Sequence, residues 1–284
     1  MREWAPGVLR RALTLVVAVV IVAACAPRAG LAPTATSIPT AIAPESVRVV
    51  CPDSLVAAVS AAASAYQRAH ADVALTVLPR ADTLALRALE LNDADVAIVT
   101  WLPGGLPEGV WVRPLARDGL AIVVHPQNGL PGITMTQLQD LFEGQLEDWE
   151  RWGGLPGVPQ LIARETASGD YALFQAWVMR DARVSLNALL APSTEAVLQF
   201  VADDPLAVGY TSTARVDGRV RAVAVNGVPP ADEMIAAGLY PLTRTLFLVM
   251  LSEPDGPARG WVQWMLESPG QAMLEAHGLV SVPR

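Results

Sequence analysis

The residues best placed for chemistry follow a predicted strand, in a stretch that reads Arg-Glu-Thr-Ala-Ser-Gly-Asp. A helix is expected to begin at Ser168 and Gly169, and the first N–H groups of a helix have no partner within it. Such N–H groups and the helix dipole favour a bound anion. The same pattern allows a structural interpretation, in which Arg164 pairs with Glu165 or Asp170 and Ser168 only caps the helix.

Other kinds of chemistry are poorly represented. The chain has 284 residues, a formal net charge of −8 and no lysine, so it offers neither a lysine nucleophile nor a basic surface for nucleic acid. It has no Gly-x-Ser-x-Gly nucleophile motif, and its three histidines lack metal-ligand spacing. Cys25 and Cys51 cannot build a disulfide framework or a structural zinc site, and Cys51 is expected to be a buried free thiol. The sequence therefore predicts no catalytic residues, metal or cofactor, and the protein is not expected to be an enzyme.

The N-terminus has the pattern of a secretion signal. Arg2, Arg10 and Arg11 precede an apolar run over residues 12–24, which is too short to span a bilayer as a helix. The run ends in Val-Ala-Ala followed by Cys25, a pattern similar to a lipobox, in which the cysteine is acylated and becomes the first mature residue. We expect a lipoprotein signal peptide at 1–24. A plain signal peptide cut near Ala24, with an incidental cysteine, is the alternative.

The segment that follows has the composition of a tether. Residues 25–45 contain four prolines and several threonines, with no aromatic side chain, and cannot bury enough apolar surface to fold. Signal, acylated cysteine and tether together predict a folded domain held at the outer face of the cell membrane.

From Ser46 onward, strand patterns alternate with helical ones. Thr134 and Gln137 form a capping box that opens one of the helices. This alternation predicts an α/β architecture in which helices cover a mostly parallel sheet. The strands are predicted near residues 47–50, 73–77, 95–100, 120–124, 161–163, 208–211, 220–225 and 245–251.

Three stretches resemble the phosphate-binding proteins of ABC importers, including the lipid-anchored kind. They are residues 113–126, residues 132–144 with the Asp-Trp and Gly-Gly pairs that follow, and residues 208–211 through 240–244. The resemblance covers nearly all of residues 46–284, and the segments follow in the order expected for that family. The resemblance implies a periplasmic-binding-protein type II fold, with two lobes that close on a small oxyanion. It also implies ABC permease subunits as partners, with the binding protein a monomer.

The resemblance also implies lobe boundaries. The chain would cross to the second lobe near 122–126 and return near 241–246. Lobe one would comprise 46–122 plus 245–284, and lobe two 123–244.

Family members hold phosphate with backbone N–H groups at helix starts and with one arginine. The family pattern of Arg, three residues and Ser-Gly-Thr matches this chain at Arg164, Ser168 and Gly169, whereas Asp170 replaces the threonine. The other expected ligand-binding residues come from three loops: Asp53 and Ser54, Asp82 and Thr83, and Thr100 and Trp101. The family usually has an aspartate that accepts the phosphate proton where this chain has Trp101.

The departures from the family pattern share a direction. Asp53, Asp82 and Asp170 stand where small neutral residues normally line the anion. A carboxylate about 4 Å from a phosphate costs on the order of 4 kcal/mol per charge pair, or roughly a thousandfold in affinity. The three aspartates alternatively serve only as caps of the helices they begin.

Trp101 either stacks on an organic ligand or packs at the lobe edge. Two functions stay open: capture of phosphate for import, and a sensing or interaction module that lost phosphate or binds another ligand.

Overall fold

The computed structural model of the protein describes residues 44–282. The predicted signal peptide, Cys25 and nearly all of the tether lie outside the described residues, so the structure does not bear on them. None of the described helices is long and apolar enough to cross a bilayer. The strands are β1 (Glu45–Cys51), β2 (Val73–Pro79), β3 (Val96–Val99), β4 (Trp111–Val124), β5 (Gln160–Arg164), β6 (Leu189–Ala191), β7 (Ala207–Ser212), β8 (Arg221–Val223), β9 (Thr243–Met250) and β10 (Val280–Ser281).

Helices alternate with these strands, as the sequence predicts. The capping box at α3 is confirmed: Thr134 Oγ1 accepts from Gln137 N at 3.1 Å, and Gln137 Oε1 accepts from Thr134 N at 2.9 Å. A left-handed Gly144, with φ of 83°, ends that helix. The helices are α1 (Val56–Ala69), α2 (Asp82–Glu90), α3 (Met135–Glu143), α4 (Gly169–Phe174, continued as a π-helical turn), α5 (Thr194–Asp203), α6 (Asp232–Ala236), α7 (Gly256–Leu266) and α8 (Ser268–Glu275).

The main path of the sheet has the order β2-β1-β3-β9-β4-β7-β5-β6. We call β1, β2 and β3 with their helices the first half, and β5, β6 and β7 with theirs the second half. Within each half the strands pair in parallel. Every antiparallel pair of the strands described above includes β4 or β9, the two strands that cross between the halves.

The long strand β4 changes partner partway along its length. It pairs with β9 as far as Gly119, opposite Thr243, and with β7 from Leu120 onward. The sequence predicts only its second part, because Arg113, Pro114 and the charged pair at 117–118 interrupt the apolar pattern. The pairing is irregular between Pro114 and Ala116, where a bulge absorbs the proline. The predicted lobe boundaries, 46–122 plus 245–284 and 123–244, stay a prediction.

Each half buries both faces of its strands. In β1, Val47, Val49 and Cys51 face a core shared with α1 and α7, whereas Val50 faces a second core with α2. The second half repeats the arrangement with two further apolar clusters, one built around Phe142 and Phe174 and the other around α5. Cys51 is a buried free thiol, as expected, and burial raises its pKa to about 12.

An ionic network links the two crossing strands to α4. Asp118 on β4 accepts from Arg244 on β9, with Oδ2 at 3.0 Å from Nε and 2.6 Å from Nη2. Asp118 also accepts from the Thr213 hydroxyl at 2.6 Å, and Arg244 makes a short hydrogen bond to Asp170 at the start of α4. Burial lowers the pKa of Arg244, but Asp170 and Asp118 more than offset it, so its guanidinium stays charged.

Asp118→Asn should lower the free energy of unfolding by about 3 kcal/mol, because it leaves a buried guanidinium with one carboxylate in place of two. Chemical denaturation with urea measures this quantity. The matched control is Asp217→Asn, which removes a carboxylate from the solvent-exposed pair with Arg219 and should cost less than about 1 kcal/mol. Equal losses in the two variants would mean that the buried network adds nothing to stability.

Candidate ligand-binding cleft

Arg164 ends β5 and lies at the floor of the space between the halves, with only 4% of its side chain exposed. Its backbone N–H donates to the Tyr210 hydroxyl at 3.1 Å. Glu165 accepts twice from the guanidinium, at 2.8 Å from Nε and 3.0 Å from Nη2. Arg164 is therefore fixed by the second half of the sheet and points its charge toward the first.

The remaining N–H groups of the Arg164 guanidinium also have acceptors. Nη1 donates to Thr194 Oγ1 at 2.9 Å and lies 3.5 Å from Asp170. Nη2 lies 3.4 Å from Asp53 Oδ1. Arg164 thus pairs with both Glu165 and Asp170, the two partners named in the structural interpretation of the sequence. An incoming anion would have to displace at least one of these acceptors.

The helix start at Ser168 and Gly169 is likewise occupied. Ser168 Oγ accepts from Asp170 N at 3.1 Å, which makes Ser168 the N-cap of α4. Gly169 N donates at 2.8 Å to Oδ2 of Asp82, a residue of the first half. A side chain at position 169 would overlap the Thr100 hydroxyl and the Asp82 carboxylate, so only glycine fits this approach.

Asp82 gathers donors from both halves of the sheet. Its Oδ1 accepts from Thr100 N at 2.5 Å, Thr100 Oγ1 at 2.9 Å and Trp101 N at 3.2 Å, while its Oδ2 accepts from Gly169. Burial raises the pKa of Asp82, the hydrogen bonds from Thr100 and Gly169 act in the opposite direction, and nearby Asp170 adds to the rise. The carboxylate therefore sits where it is well coordinated but poorly solvated.

Asp53 makes a second connection between the halves. Its Oδ2 accepts from Thr194 N, the first residue of α5, at 2.5 Å, and its Oδ1 accepts from Thr194 Oγ1 at 3.2 Å. Its side chain is 32% exposed and close to Arg164. Asp53 thus binds a helix start of the second half together with the guanidinium.

The expectation that the three aspartates cap their own helices is wrong. Each lies in the first turn of a helix, but neither Asp53 nor Asp82 caps that helix with its side chain. Asp53 and Asp82 accept instead from the first residues of α5 and α4 across the cleft, because the two halves bring those N–H groups within reach. Asp170 is the N2 residue of α4, and its carboxylate binds Arg244 and Arg164.

The other predicted site residues divide between the cleft and its surroundings. Thr100 and Trp101 contribute N–H donors to Asp82, and the Trp101 ring packs against the apolar core of the second half, which supports the packing interpretation. Thr83 is exposed, and its N–H donates to Ala167 O across the cleft at 3.3 Å. Ser54 is buried and lines a different cavity, of about 350 Å³, beside Ala214.

The sequence patterns give no role to three residues that shape this site. Thr194 binds Arg164 directly, and Asp118 and Arg244 extend the ionic network. Ser193 marks a helix start and so signals free N–H groups at Thr194. Asp118 and Arg244 lie inside stretches that carry the family resemblance, but nothing in their spacing shows that they meet.

The space left between the halves is a cavity of about 210 Å³. Its lining combines acidic and basic side chains, and among residues 44–282 no cluster of three or more metal-ligating side chains occurs. The cavity is lined by Pro52, Asp53, Pro79, Arg80, Ala81, Asp82, Arg164, Glu165, Ser168 and Pro192.

The raised pKa of Asp82 predicts a pH-dependent stability. A folded-state pKa above the ordinary value means that the folded protein binds the proton more readily, so this contribution to stability is present at acid pH and lost as pH rises through the folded pKa. The free energy of unfolding of the wild type minus that of Asp82→Asn, which does not titrate at this position, should therefore fall from about pH 4 upward, by at most about 1.4 kcal/mol per pH unit. Denaturation across pH measures it, and a difference that rises with pH would contradict the assignment.

Comparison with known proteins places this arrangement in a family. The sequence profile of the PBP superfamily domain matches residues 38–269. The phosphate-binding protein PstS of Pseudomonas aeruginosa is 28% identical over 194 residues, which cover 60% of this chain and 59% of that protein. PstS of Bacillus subtilis is 27% identical over 152 residues, or 53% of this chain and 50% of the relative. The matched region thus spans about half to three fifths of these relatives' length.

Solved structures agree on the fold. A Clostridium perfringens protein, described as a substrate-binding protein of a phosphate ABC transporter and containing bound phosphate, superposes with a TM-score of 0.78 at 22% identity, covering 84% of this chain and all of that one. An ABC-type phosphate transport receptor from Vibrio cholerae gives 0.71 at 24% identity, over 82% and 99%. The two-lobe periplasmic-binding-protein fold expected from the sequence is confirmed, and the chain belongs to the PBP superfamily domain family.

Proposed function

We propose that this protein is the extracytoplasmic solute-binding lipoprotein of a phosphate-type ABC import system, and that it captures a small oxyanion, phosphate, between its two lobes. The observation that carries the proposal is Arg164, a buried guanidinium that faces the cleft between two helix starts. Relatives named as phosphate-binding proteins support the same ligand. ABC permease subunits are the proposed partners, and the binding protein acts as a monomer.

The cleft has the donors that an oxyanion needs. Gly169 N at the start of α4 and Thr194 N at the start of α5 both face the first half, and the Arg164 guanidinium lies between them. Backbone N–H groups at helix starts and a guanidinium together favour a tetrahedral oxyanion over an uncharged ligand. In this proposal Ser168, Asp170, Ser54, Thr83, Thr100 and Trp101 shape the same cleft or its rim.

The role is capture and not catalysis. The relatives are named as phosphate-binding proteins and the solved structures as a substrate-binding protein and a receptor of phosphate transport, which supports a binding role. Selection of a ligand by a closing cleft requires only differential binding between open and closed states.

A second candidate has a specific observation in its favour. The donors that would hold phosphate already bind carboxylates of the protein: Gly169 and Thr100 bind Asp82, and Thr194 binds Asp53. A sensing or interaction module of the same fold that lost phosphate binding, or that takes a different small ligand, would show this arrangement. Calorimetric titration of the purified protein with phosphate, sulfate and a zwitterionic amino acid separates the two candidates.

If phosphate binds, Arg164→Ala should weaken its affinity by about 2–4 kcal/mol, because the variant removes a desolvated charged partner. Isothermal titration gives the value, and a thermal unfolding curve confirms that the variant is folded. Arg219→Ala, which removes a surface guanidinium 37% exposed, is the matched control and should leave the affinity unchanged. Unaltered phosphate binding by Arg164→Ala would show that this arginine only braces the loop.

The lipid anchor is part of the proposal and rests on the residues before the folded domain. Cys25 follows Val-Ala-Ala and precedes the proline-rich tether, so acylation there would hold the domain at the membrane face. Cys25→Ser should release the protein into the soluble fraction or leave it unprocessed, as fractionation and mass spectrometry of the N-terminus would show. A variant processed and membrane-bound like the wild type would exclude lipidation at Cys25.

A further inference from the structure

Two carboxylates of the first half bind the starts of two helices in the second half. Asp82 accepts from Gly169 N of α4 and Asp53 accepts from Thr194 N of α5, at 2.8 and 2.5 Å. Both acceptors lie at helix starts that follow strands of the first half, and both donors lie at helix starts that follow strands of the second. The contacts therefore run across the cleft at two separate points.

The Asp82 carboxylate has the bonding pattern of a bound oxyanion. One oxygen takes three donors from Thr100 and Trp101 in the first half, and the other takes the Gly169 N–H of the second half. A carboxylate is planar and singly charged, but it presents oxygens to N–H groups much as a phosphate does. At this point the two halves are thus joined by the Asp82 side chain of the protein itself.

The Asp82 carboxylate occupies N–H groups that an external anion would also need. No ion pair joins Asp82 to any arginine between residues 44 and 282, so hydrogen-bond donors alone compensate its buried charge. A second anion cannot occupy the Gly169 and Thr100 N–H groups while the carboxylate does, because each N–H offers a single hydrogen and two like charges would then lie in contact. Even a single carbon atom added at Gly169 would overlap the Thr100 hydroxyl and the Asp82 carboxylate, so no further group fits there.

We propose that Asp82 and Asp53 form an intramolecular clasp that holds the two halves together and competes with oxyanions for the same donors, which makes Asp82 a specificity-determining residue of the cleft. The first part of the proposal stands on the contacts alone. The second part rests on the proposed function, since it concerns the affinity of the cleft for phosphate. A ligand enters this cleft by displacing the clasp, so affinity is lowered by the free energy of the clasp contacts.

Further contacts across the cleft act in the same direction. Thr83 N donates to Ala167 O, and the half-buried Trp101 ring packs on the apolar core of the second half. Asp53 also accepts from Arg164, the residue to which an oxyanion ligand would bind in the proposed function. Loss of the Asp82 carboxylate should therefore loosen the closed arrangement and at the same time release donors for an external anion.

The test measures the radius of gyration and the phosphate affinity of the purified protein. In phosphate-free buffer, Asp82→Ala should increase the radius of gyration seen by small-angle X-ray scattering, and added phosphate should reduce it again. Calorimetry should show phosphate affinity rising by about tenfold or more, as expected when one charged hydrogen-bonded competitor is removed. Asp82→Asn, which keeps the side-chain volume, is measured in parallel and carries the test if the alanine variant does not fold.

The matched control is Asp95→Ala. The Asp95 carboxylate also accepts a hydrogen bond from a backbone N–H, that of Arg48 at 2.7 Å, and forms an ion pair with the Arg48 guanidinium. All of these contacts lie within the first half. The control should leave both the radius and the phosphate affinity at their wild-type values.

The two parts of the proposal fail separately. A radius of gyration equal to that of the wild type in the Asp82 variants overturns the clasp, whatever the result with phosphate. A larger radius without tighter phosphate binding overturns the specificity role of Asp82. Failure of the proposed function shows differently: no oxyanion then binds to the wild type, to Arg164→Ala or to the Asp82 variants, while the radius in phosphate-free buffer still decides the clasp.

Discussion

The contact on which this site depends is the hydrogen bonding of one buried carboxylate to both halves of the sheet. Asp82 accepts from Thr100 and Trp101 on its own side and from Gly169 on the other, and only a glycine allows that approach. Removal of a carboxylate from water is costly, so the charge is tolerated only because several donors converge on it. In the proposed function an external anion would need the same donors, so the Asp82 carboxylate and the ligand would compete for them.

The ionic network extends this local contact to the rest of the fold. Asp170 at the start of α4 binds Arg164 in the cleft and Arg244 on β9, and Arg244 in turn binds Asp118 on β4. Since β4 and β9 are the strands that cross between the halves, the charges of the cleft are mechanically connected to the region about which the halves would move. A change of charge at the cleft can thus bias the relative position of the halves, provided that the open state breaks the contacts.

Sequence patterns predict the fold, but not the hydrogen bonds and ion pairs in the cleft. Apolar periodicity predicts most strands and helices because buried faces impose it, and Arg164, the residue at the centre of the family pattern, lines the cavity between the halves. Neither periodicity nor the family pattern shows that Asp53 and Asp82 bind helix starts of the opposite half. That pairing joins residues 141 and 87 positions apart and arises only when the sheet brings the loops together. The expectation of capping within the same helix used local geometry, and tertiary contacts replaced it. The first part of β4 was missed for a related reason, because its pairing with β9 compensates for charged residues and a proline.

The most direct measurement detects the clasp contact itself. In protein labelled with ¹⁵N and ¹³C and kept in phosphate-free buffer, a long-range HNCO spectrum reports scalar coupling across a hydrogen bond between an amide nitrogen and a carboxylate carbon. The account predicts a correlation between Gly169 N and Asp82 Cγ, alongside the correlation between Arg48 N and Asp95 Cγ that serves as an internal reference. A spectrum that shows the reference correlation but none for Gly169, with the Gly169 amide hydrogen exchanging as fast as an exposed one, would contradict it.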